Sequence, residues 1–307
     1  MKISLYIPSF NQKQYLIEAV ESVLAQTLQP HQIIIIDDNS SDGSQQLIDG
    51  YKSRYPDLIT PIYHTTNQGI TRTRLHALKT VTGDYVTYVD GDDRLLKNKL
   101  EKEAKLLKES SNAQIAFSNY YYISPDGIRT GVWASTEVPP QGDVFRFAFA
   151  RDFPKGSLFR NELVKLSCLK EIGAYDSSLL THEDWDLKIR LTKRFKTVYC
   201  PDLLSEYRRN PNGLSKLPAS LRLKSIEYVY DKNKYLLDDL TRSSRTDVKV
   251  KLALKFSQIS QKAALDELEK GNSRLALHYW LKALKYDCMN FDFKLAARIL
   301  FSVPTKL

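Results

Sequence analysis

The sequence predicts an α/β fold: a mainly parallel sheet with helices on both faces, followed by an all-helical C-terminal extension. Three observations carry that prediction. Short apolar runs alternate with helix-spaced apolar stripes along the N-terminal part of the chain, the pattern of repeated βα units. Ile33, Ile34, Ile35 and Ile36 follow one another without a polar break, which suits a strand buried on both faces. From about Leu221 onward the strand signals stop and the pattern is helical.

Taken in order, Ile3–Ile7 is the first strand, and Asn11 caps a helix that carries Leu16, Val20, Val23 and Leu24 at helical spacing. Gln32–Ile36 is the second strand. It ends in the polar turn Asp37-Asp38-Asn39-Ser40-Ser41-Asp42-Gly43, which leads into a helix over 44–53. A strand over 59–64, a helix over 69–81, a strand over 84–89 and a helix over 95–110 complete the series. Ligands of such sheets bind outside the carboxyl ends of the strands, so Asp37/Asp38 and Asp90/Asp92 are expected in one crevice.

Beyond residue 113 the pattern changes. Ile115–Ile123 reads as a strand, Pro125-Asp126-Gly127 as a turn and Ile128–Trp133 as the return strand. Residues 134–156, with Pro139, Pro140, Gly142 and Pro154, read as an irregular loop of the kind that carries specificity. Residues 157–172 read as a strand passing into a short helix. His182-Glu183-Asp184-Trp185 opens a helix to about Phe195, and a strand lies near Thr197–Cys200. Ala263-Ala264, Leu268, Gly271-Asn272, Leu275-Ala276, Tyr279 and Ala283-Leu284 resemble one tetratricopeptide-type helix pair, too few repeats for a solenoid. The stretch from Lys294 to Leu307 is amphipathic, which suits an interface with lipid as well as an ordinary packed helix. The expected division is a catalytic domain over 1–218 and a basic helical extension over 219–307.

Composition narrows the function classes. Of 307 residues 42% are hydrophobic, enough for one large domain and an appendage. Cys168, Cys200 and Cys288 form no CxxC pair, which argues against a zinc ribbon or disulfide framework and suits a reducing compartment. The opening residues show no basic n-region followed by an apolar h-region, so no secretory leader is expected, and no apolar run approaches the ~20 residues that span a bilayer. A cytoplasmic protein is expected. The net charge of +9 is uneven: residues 1–218 hold 28 Lys/Arg against 26 Asp/Glu, residues 219–307 hold 17 against 10. The basic tail suits the inner face of an anionic membrane or a solvated helical surface, and no nucleic-acid partner is expected.

The strand Tyr85–Val89 ends in Asp90-Gly91-Asp92-Asp93, three carboxylates within four residues. Like charges repel, and burial raises their energy further. A hard divalent cation, Mg²⁺ or Mn²⁺, removes that conflict, and at a strand end such a cation holds a phosphate. The cluster points to a metal-dependent enzyme acting on a phosphorylated substrate. His31, His64, His76 and His278 form no ligand pattern, and no GxSxG, Walker-type or CxxC motif is present.

Five motifs in order resemble the family 2 glycosyltransferases of the GT-A fold, a Rossmann-like sheet. They are Ile3-Ser4-Leu5-Tyr6-Ile7-Pro8-Ser9-Phe10-Asn11, the Asp37–Ser44 turn, Asn67-Gln68-Gly69, Asp90-Gly91-Asp92-Asp93 and Glu183-Asp184-Trp185. The resemblance covers about residues 1–215. It implies transfer of a sugar from a nucleotide-sugar donor, most readily a UDP-sugar, with inversion at the anomeric carbon. It further implies a glycan or lipid-linked acceptor in bacterial surface-polymer assembly. Pro8, Asp38, Arg74, Asp90 and Arg208 are implied in donor binding, with Asp38 accepting the imide N–H of uracil. Asp92 is implied as the metal ligand and Asp184 as the general base, with Glu183 positioning the base or the acceptor. Asp37 orders the turn, Asp93 caps the following helix, and Trp185 either stacks on a sugar or belongs to the core. Two departures stand out. Thr73-Arg74-Leu75 replaces an Ala-Arg-Asn segment, and Asn210 stands where relatives carry a histidine, which puts a third protein metal ligand in doubt. Two other readings stay open: a haloacid-dehalogenase-like phosphatase, disfavoured because its Asp-x-Asp follows the first strand, and a non-catalytic nucleotide-sugar-binding scaffold.

Overall fold

A computed structural model of the chain describes residues 1–210, 213 and 217–286. Strand β1 (Ile3–Ser9) leads through α1 (Lys13–Leu24) to β2 (Gln32–Asp37). Then come α2 (Ser44–Arg54), β3 (Ile59–Tyr63), α3 (Ile70–Thr80) and β4 (Tyr85–Tyr88). These strands pair in parallel in the order β3-β2-β1-β4. Ile33 and Ile35 join a core with Leu5, Leu16, Val20 and Ile48. Ile34 and Ile36 are equally buried outside that cluster, so both faces of β2 are covered, as the isoleucine run predicts. Each such side chain taken out of water contributes roughly 1.5–3 kcal/mol before the entropy of ordering it is subtracted.

The second half begins with β5 (Arg94–Leu95), α4 (Lys99–Glu109), β6 (Ala113–Ile123), β7 (Arg129–Val132), α5 (Phe145–Ala150) and a 3-10 turn at Pro154–Gly156. It continues with β8 (Leu163–Lys165), α6 (Leu166–Glu171), α7 (Glu183–Arg194) and β9 (Lys196–Arg208). The sheet runs on as β4-β8-β6-β9-β5, with β7 beside β6. Strand β8 is antiparallel to both β4 and β6, while β9 is parallel to β6 and antiparallel to β5. The sheet is therefore parallel in its first half and mixed in its second.

Three expectations change in this half. Arg94–Leu95 pair with Ser205–Glu206 of β9, so the helix expected from Leu95 starts at Lys99. The strand expected near Thr197–Cys200 runs to Arg208, because it pairs with β6 from Ala113 to Ile123 through several register shifts. Part of the expected irregular loop is helical, as α5.

Helix α1 also differs in its start. Its N-cap is Gln12, which makes no side-chain cap bond, and Asn11 instead accepts from the Ser41 amide at 2.8 Å. The missing cap comes from another segment. Asp42 accepts from the Lys13 amide at 2.8 Å and, with its other oxygen, from the Ser44 amide at 3.0 Å, so one carboxylate starts both α1 and α2.

Two compact units emerge from the backbone contacts: residues 1–148 with 152–211, and residues 149–151 with 212–307. The second contains α8 (Ala219–Asn233), a 3-10 segment at Lys234–Asp239, α9 (Arg242–Glu269) and α10 (Ser273–Tyr286). Thr241 caps α9 by accepting from the Ser244 amide at 3.3 Å. Gly271, at φ +81, turns the chain between α9 and α10 in the left-handed region that favours glycine. Ala263, Ala264, Ala276 and Ala283 are fully buried, the small residues that let two helices approach closely. An edge-to-face series Phe149–Tyr230–Phe256–Tyr286 fills the rest of this unit. Among the described residues no helix is long and apolar enough to cross a membrane. The amphipathic stretch 294–307 and most of the loop around Gly213 lie outside the described residues.

Candidate functional site

The turn after β2 is built from its two carboxylates. Asp37 Oδ2 accepts from the Ser40 amide and from Gln45 Nε2, both at 2.9 Å, which orders the turn. Asp38 looks the other way. Its Oδ1 accepts from the Gln68 amide at 2.8 Å, its Oδ2 from the Gly69 amide at 2.8 Å, and His64 Nδ1 lies 2.7 Å from Oδ1. A carboxylate has about four acceptor positions, and three are filled. Asp38 is 3% exposed, and it fastens the Asn67-Gln68-Gly69 segment to the end of β2. His64 Nε2 in turn meets His76 Nδ1 at 3.0 Å, and the two rings are stacked.

The second turn follows β4. The Gly91 amide donates to the Pro8 carbonyl at 3.1 Å, which is how Pro8 touches the site. A Cβ on Gly91 would stand 2.8 Å from Gln12 Oε1, which can swing aside, and 3.0 Å from that carbonyl, a tight fit that the backbone must ease. The three carboxylates are held differently. Asp90 faces two guanidinium groups, with Arg74 Nη2 at 2.6 Å and Arg160 Nη2 at 2.9 Å. Burial opposes its ionisation, yet the two arginines outweigh burial and hold the carboxyl below its usual range. Asp93 does not cap α4. It is buried, accepts from the Arg208 amide at 2.8 Å and so pins β9, and its carboxyl is pushed well up by burial. Asp92 is half-buried. Burial, then the Asp90 charge beside it, push its carboxyl up, against the opposing pull of Arg160 and a hydrogen bond with the Asn210 side chain.

Arg74 joins this turn to the start of α7. It is 5% exposed, with Nη2 on Asp90 and Nη1 3.3 Å from Glu183 Oε1, and its guanidinium lies over the Tyr88 ring at 4.6 Å. Glu183 follows His182, whose φ of +60 is left-handed, a conformation that costs a non-glycine residue energy. Burial pushes the Glu183 carboxyl up to about 7 against the pull of Arg74, and Asp184 adds a like charge in the same direction. Asp184 accepts from the Trp185 amide at 2.8 Å and acts electrostatically on Asp90. Trp185 is fully buried and donates to the Ala148 carbonyl at 3.0 Å, so it belongs to the core and not to a sugar platform.

Arg208 was expected to grip a donor. Instead its Nε donates to the Asp92 carbonyl at 2.7 Å, Nη1 to the Pro125 carbonyl at 2.6 Å and Nη2 to Glu18 at 2.7 Å, over the Tyr15 ring. Every nitrogen of that guanidinium already serves the protein. Two other residues at the site, Arg160 and His64, carry no pattern in the sequence. Arg160 lies outside every motif, and His64 takes its meaning only from the fold that brings it to Asp38.

The fit of a divalent cation can be judged from Asp92. A carboxyl pushed up by burial and a like charge is short of positive charge, and a cation there relieves it. Asp92 offers hard oxygens of the kind Mg²⁺ and Mn²⁺ prefer. Among the described residues no group of three His, Cys, Asp or Glu side chains forms a complete cage. The residues present fit a cation that takes most of its ligands from a bound phosphate and water.

Comparison with known proteins adds the following. The family profile described as Glycosyl transferase family 2 matches residues 4–165. EpsE of Bacillus subtilis, provisionally named a glycosyltransferase, is 26% identical over 75% of this chain and 81% of its own length. The chain spans about 60% of the length of the first curated relatives it matches, which are 27% identical to it. Among solved structures, TarS of S. aureus, residues 1–349, superposes with a TM-score of 0.69 at 17% identity, covering 98% of this chain and 89% of that one, and it has also been solved with UDP-GlcNAc. The mannosyltransferase PcManGT of Pyrobaculum calidifontis, solved with GDP-Man and Mn²⁺, gives 0.61 at 14% identity, covering 98% and 85%. At these identities the two structures speak for the GT-A fold alone.

Proposed function

The chain belongs to glycosyl transferase family 2, and from that premise we propose that it is an inverting, metal-dependent transferase of a sugar from a UDP-sugar to a hydroxyl acceptor. One observation carries the reading. Arg74 bridges Asp90 and Glu183, which ties the carboxylate turn after β4 to the paired carboxylates that open α7. Donor and acceptor machinery thus share one charged network at the carboxyl ends of the strands.

In this reading Asp38 uses its remaining acceptor position for the imide N–H of the base, fixed in aim by the Gln68 and Gly69 amides and His64. Asp90 orients the ribose end of the donor. Asp92 would hold Mg²⁺ or Mn²⁺, which supplies positive charge for the departing diphosphate when bound. Asp184 takes the acceptor proton as the hydroxyl attacks C1 from the face opposite the diphosphate, and Glu183 keeps Arg74 in register. Arg208 leaves the donor set and becomes a positioning residue that holds the Asp92 backbone. The setting we infer is bacterial surface-glycan assembly on a lipid-linked acceptor, in the cytoplasm at the inner membrane face. The basic residues after 218 support that membrane contact.

The test is a donor panel: UDP-, GDP- and dTDP-sugars with Mn²⁺ or Mg²⁺, scored by nucleotide release and by calorimetric binding. Metal-dependent release from a UDP-sugar, abolished in Asp92→Asn, is expected. Asp184→Asn should keep donor binding and lose turnover by at least about 100-fold. A chain that binds none of the nucleotides would falsify the reading.

A further inference from the structure

Three arginines surround the carboxylate turn, and their commitments differ. Arg208 has a protein acceptor for every nitrogen. Arg74 divides its two terminal nitrogens between Asp90 and Glu183. Arg160 spends only Nη2, 2.9 Å from Asp90 and 3.6 Å from Asp93. Among the described residues its Nη1 has no hydrogen-bond partner, and its buried Nε has none either. The buried Nε of Arg74 is unpaired as well, so it is the free Nη1 that sets Arg160 apart.

The guanidinium is also held in place. Its central carbon lies 3.9 Å over the Tyr207 ring. Phe159 before it is fully buried and stacks on Phe117 at 4.5 Å. Asn161 after it donates to the Tyr88 carbonyl at 3.0 Å, while its own carbonyl accepts from Thr87 Oγ1 at 2.8 Å and from Lys99 Nζ. The segment carrying Arg160 is therefore fastened to β4, whose end bears the carboxylates. The side chain is 22% exposed, although its Nε is buried.

We infer that Arg160 is the guanidinium that grips the donor's diphosphate, presenting the unpaired Nη1 to phosphate oxygens beside Asp92. This rests on the nucleotide-diphosphate reading above and names the residue that contacts the leaving group. The two N–H groups of Nη1 can donate to phosphate oxygens, and a guanidinium fixed before the reaction needs no reorganisation as charge builds on the leaving oxygen. Arg160 lies outside every motif that the sequence singles out.

The test compares UDP with uridine, in the full-length chain with Mg²⁺. Arg160→Gln should weaken UDP binding by about 10- to 100-fold in calorimetry, while uridine, which lacks phosphate, changes by less than about threefold. Arg160→Lys, which keeps the charge and loses the fork, should fall between. In turnover, kcat should drop more than KM rises, since the contact strengthens in the transition state. Melting curves and near-ultraviolet circular dichroism check the fold, and the lysine variant serves if the glutamine variant does not fold. Equal losses for UDP and uridine would mean that Arg160 merely props Asp90, and would overturn the inference. Unchanged UDP affinity in both variants overturns it as well. A wild-type chain that binds no UDP, GDP or dTDP overturns the parent reading and this one together.

Discussion

Glu183 shows how much one buried carboxyl can do. Its carboxyl titrates at about 7 in the folded chain, against an ordinary value of 4.5. Between those values the native state holds a proton that the unfolded chain has released, so stability falls as pH rises through that window. Asp93, also pushed up by burial, acts in the same direction. Chemical denaturation at pH 5 and pH 7.5 should therefore show wild type losing on the order of 3 kcal/mol more than Glu183→Gln over that interval. Parallel pH profiles for the two proteins would rule the assignment out. The carboxylates themselves were legible in the sequence, because Asp90-Gly91-Asp92-Asp93 and Glu183-Asp184 are local patterns. Their partners were not. Arg74 meets Glu183, and His64 meets Asp38, only through a fold that joins distant segments, and no spacing rule announces which nitrogen of an arginine is left free.

At the scale of elements, the two site turns depend on close backbone approach. Gly91 leaves only a tight space for a methyl group against the Pro8 carbonyl, with Gln12 having to move aside. Gly91→Ala should cost about 1–3 kcal/mol of stability and push the turn away from β1. Nucleotide binding should then fall further than the loss of stability explains, measured on protein held well below its melting temperature. Unaltered binding would show that the turn tolerates displacement. The first four strands could be read from sequence because parallel βα units repeat a simple pattern. The second half could not be read as well. Strand β9 is made by long-range pairing with β6, and residues such as Arg94 and Leu95 become a strand only because Glu206 and Ser205 lie opposite them. Local propensity carries no record of such a partner.

For the molecule as a whole, charge is divided unevenly, with +2 on residues 1–218 and +7 on the remainder. If the helical region meets an anionic bilayer, the full chain should float with vesicles rich in anionic lipid at low salt. It should be released by ~0.5 M salt, where screening shortens the reach of charge to a few ångströms. Failure to float at low salt removes the membrane role and leaves a solvated helical surface. Asp42 has its own bearing on any attempt to alter which nucleotide the protein accepts. The obvious experiment transplants residues 37–43 from a relative with a different base preference. That segment also supplies the start of α1, through the Lys13 amide. Helix α1 carries Tyr15 and Glu18, and these steady Arg208 behind the Asp92 backbone. A transplant without a carboxylate at position 42 therefore alters phosphate handling as well as base choice. Donor-swapping chimeras should be judged on both counts, with Asp42 retained as part of the recipient.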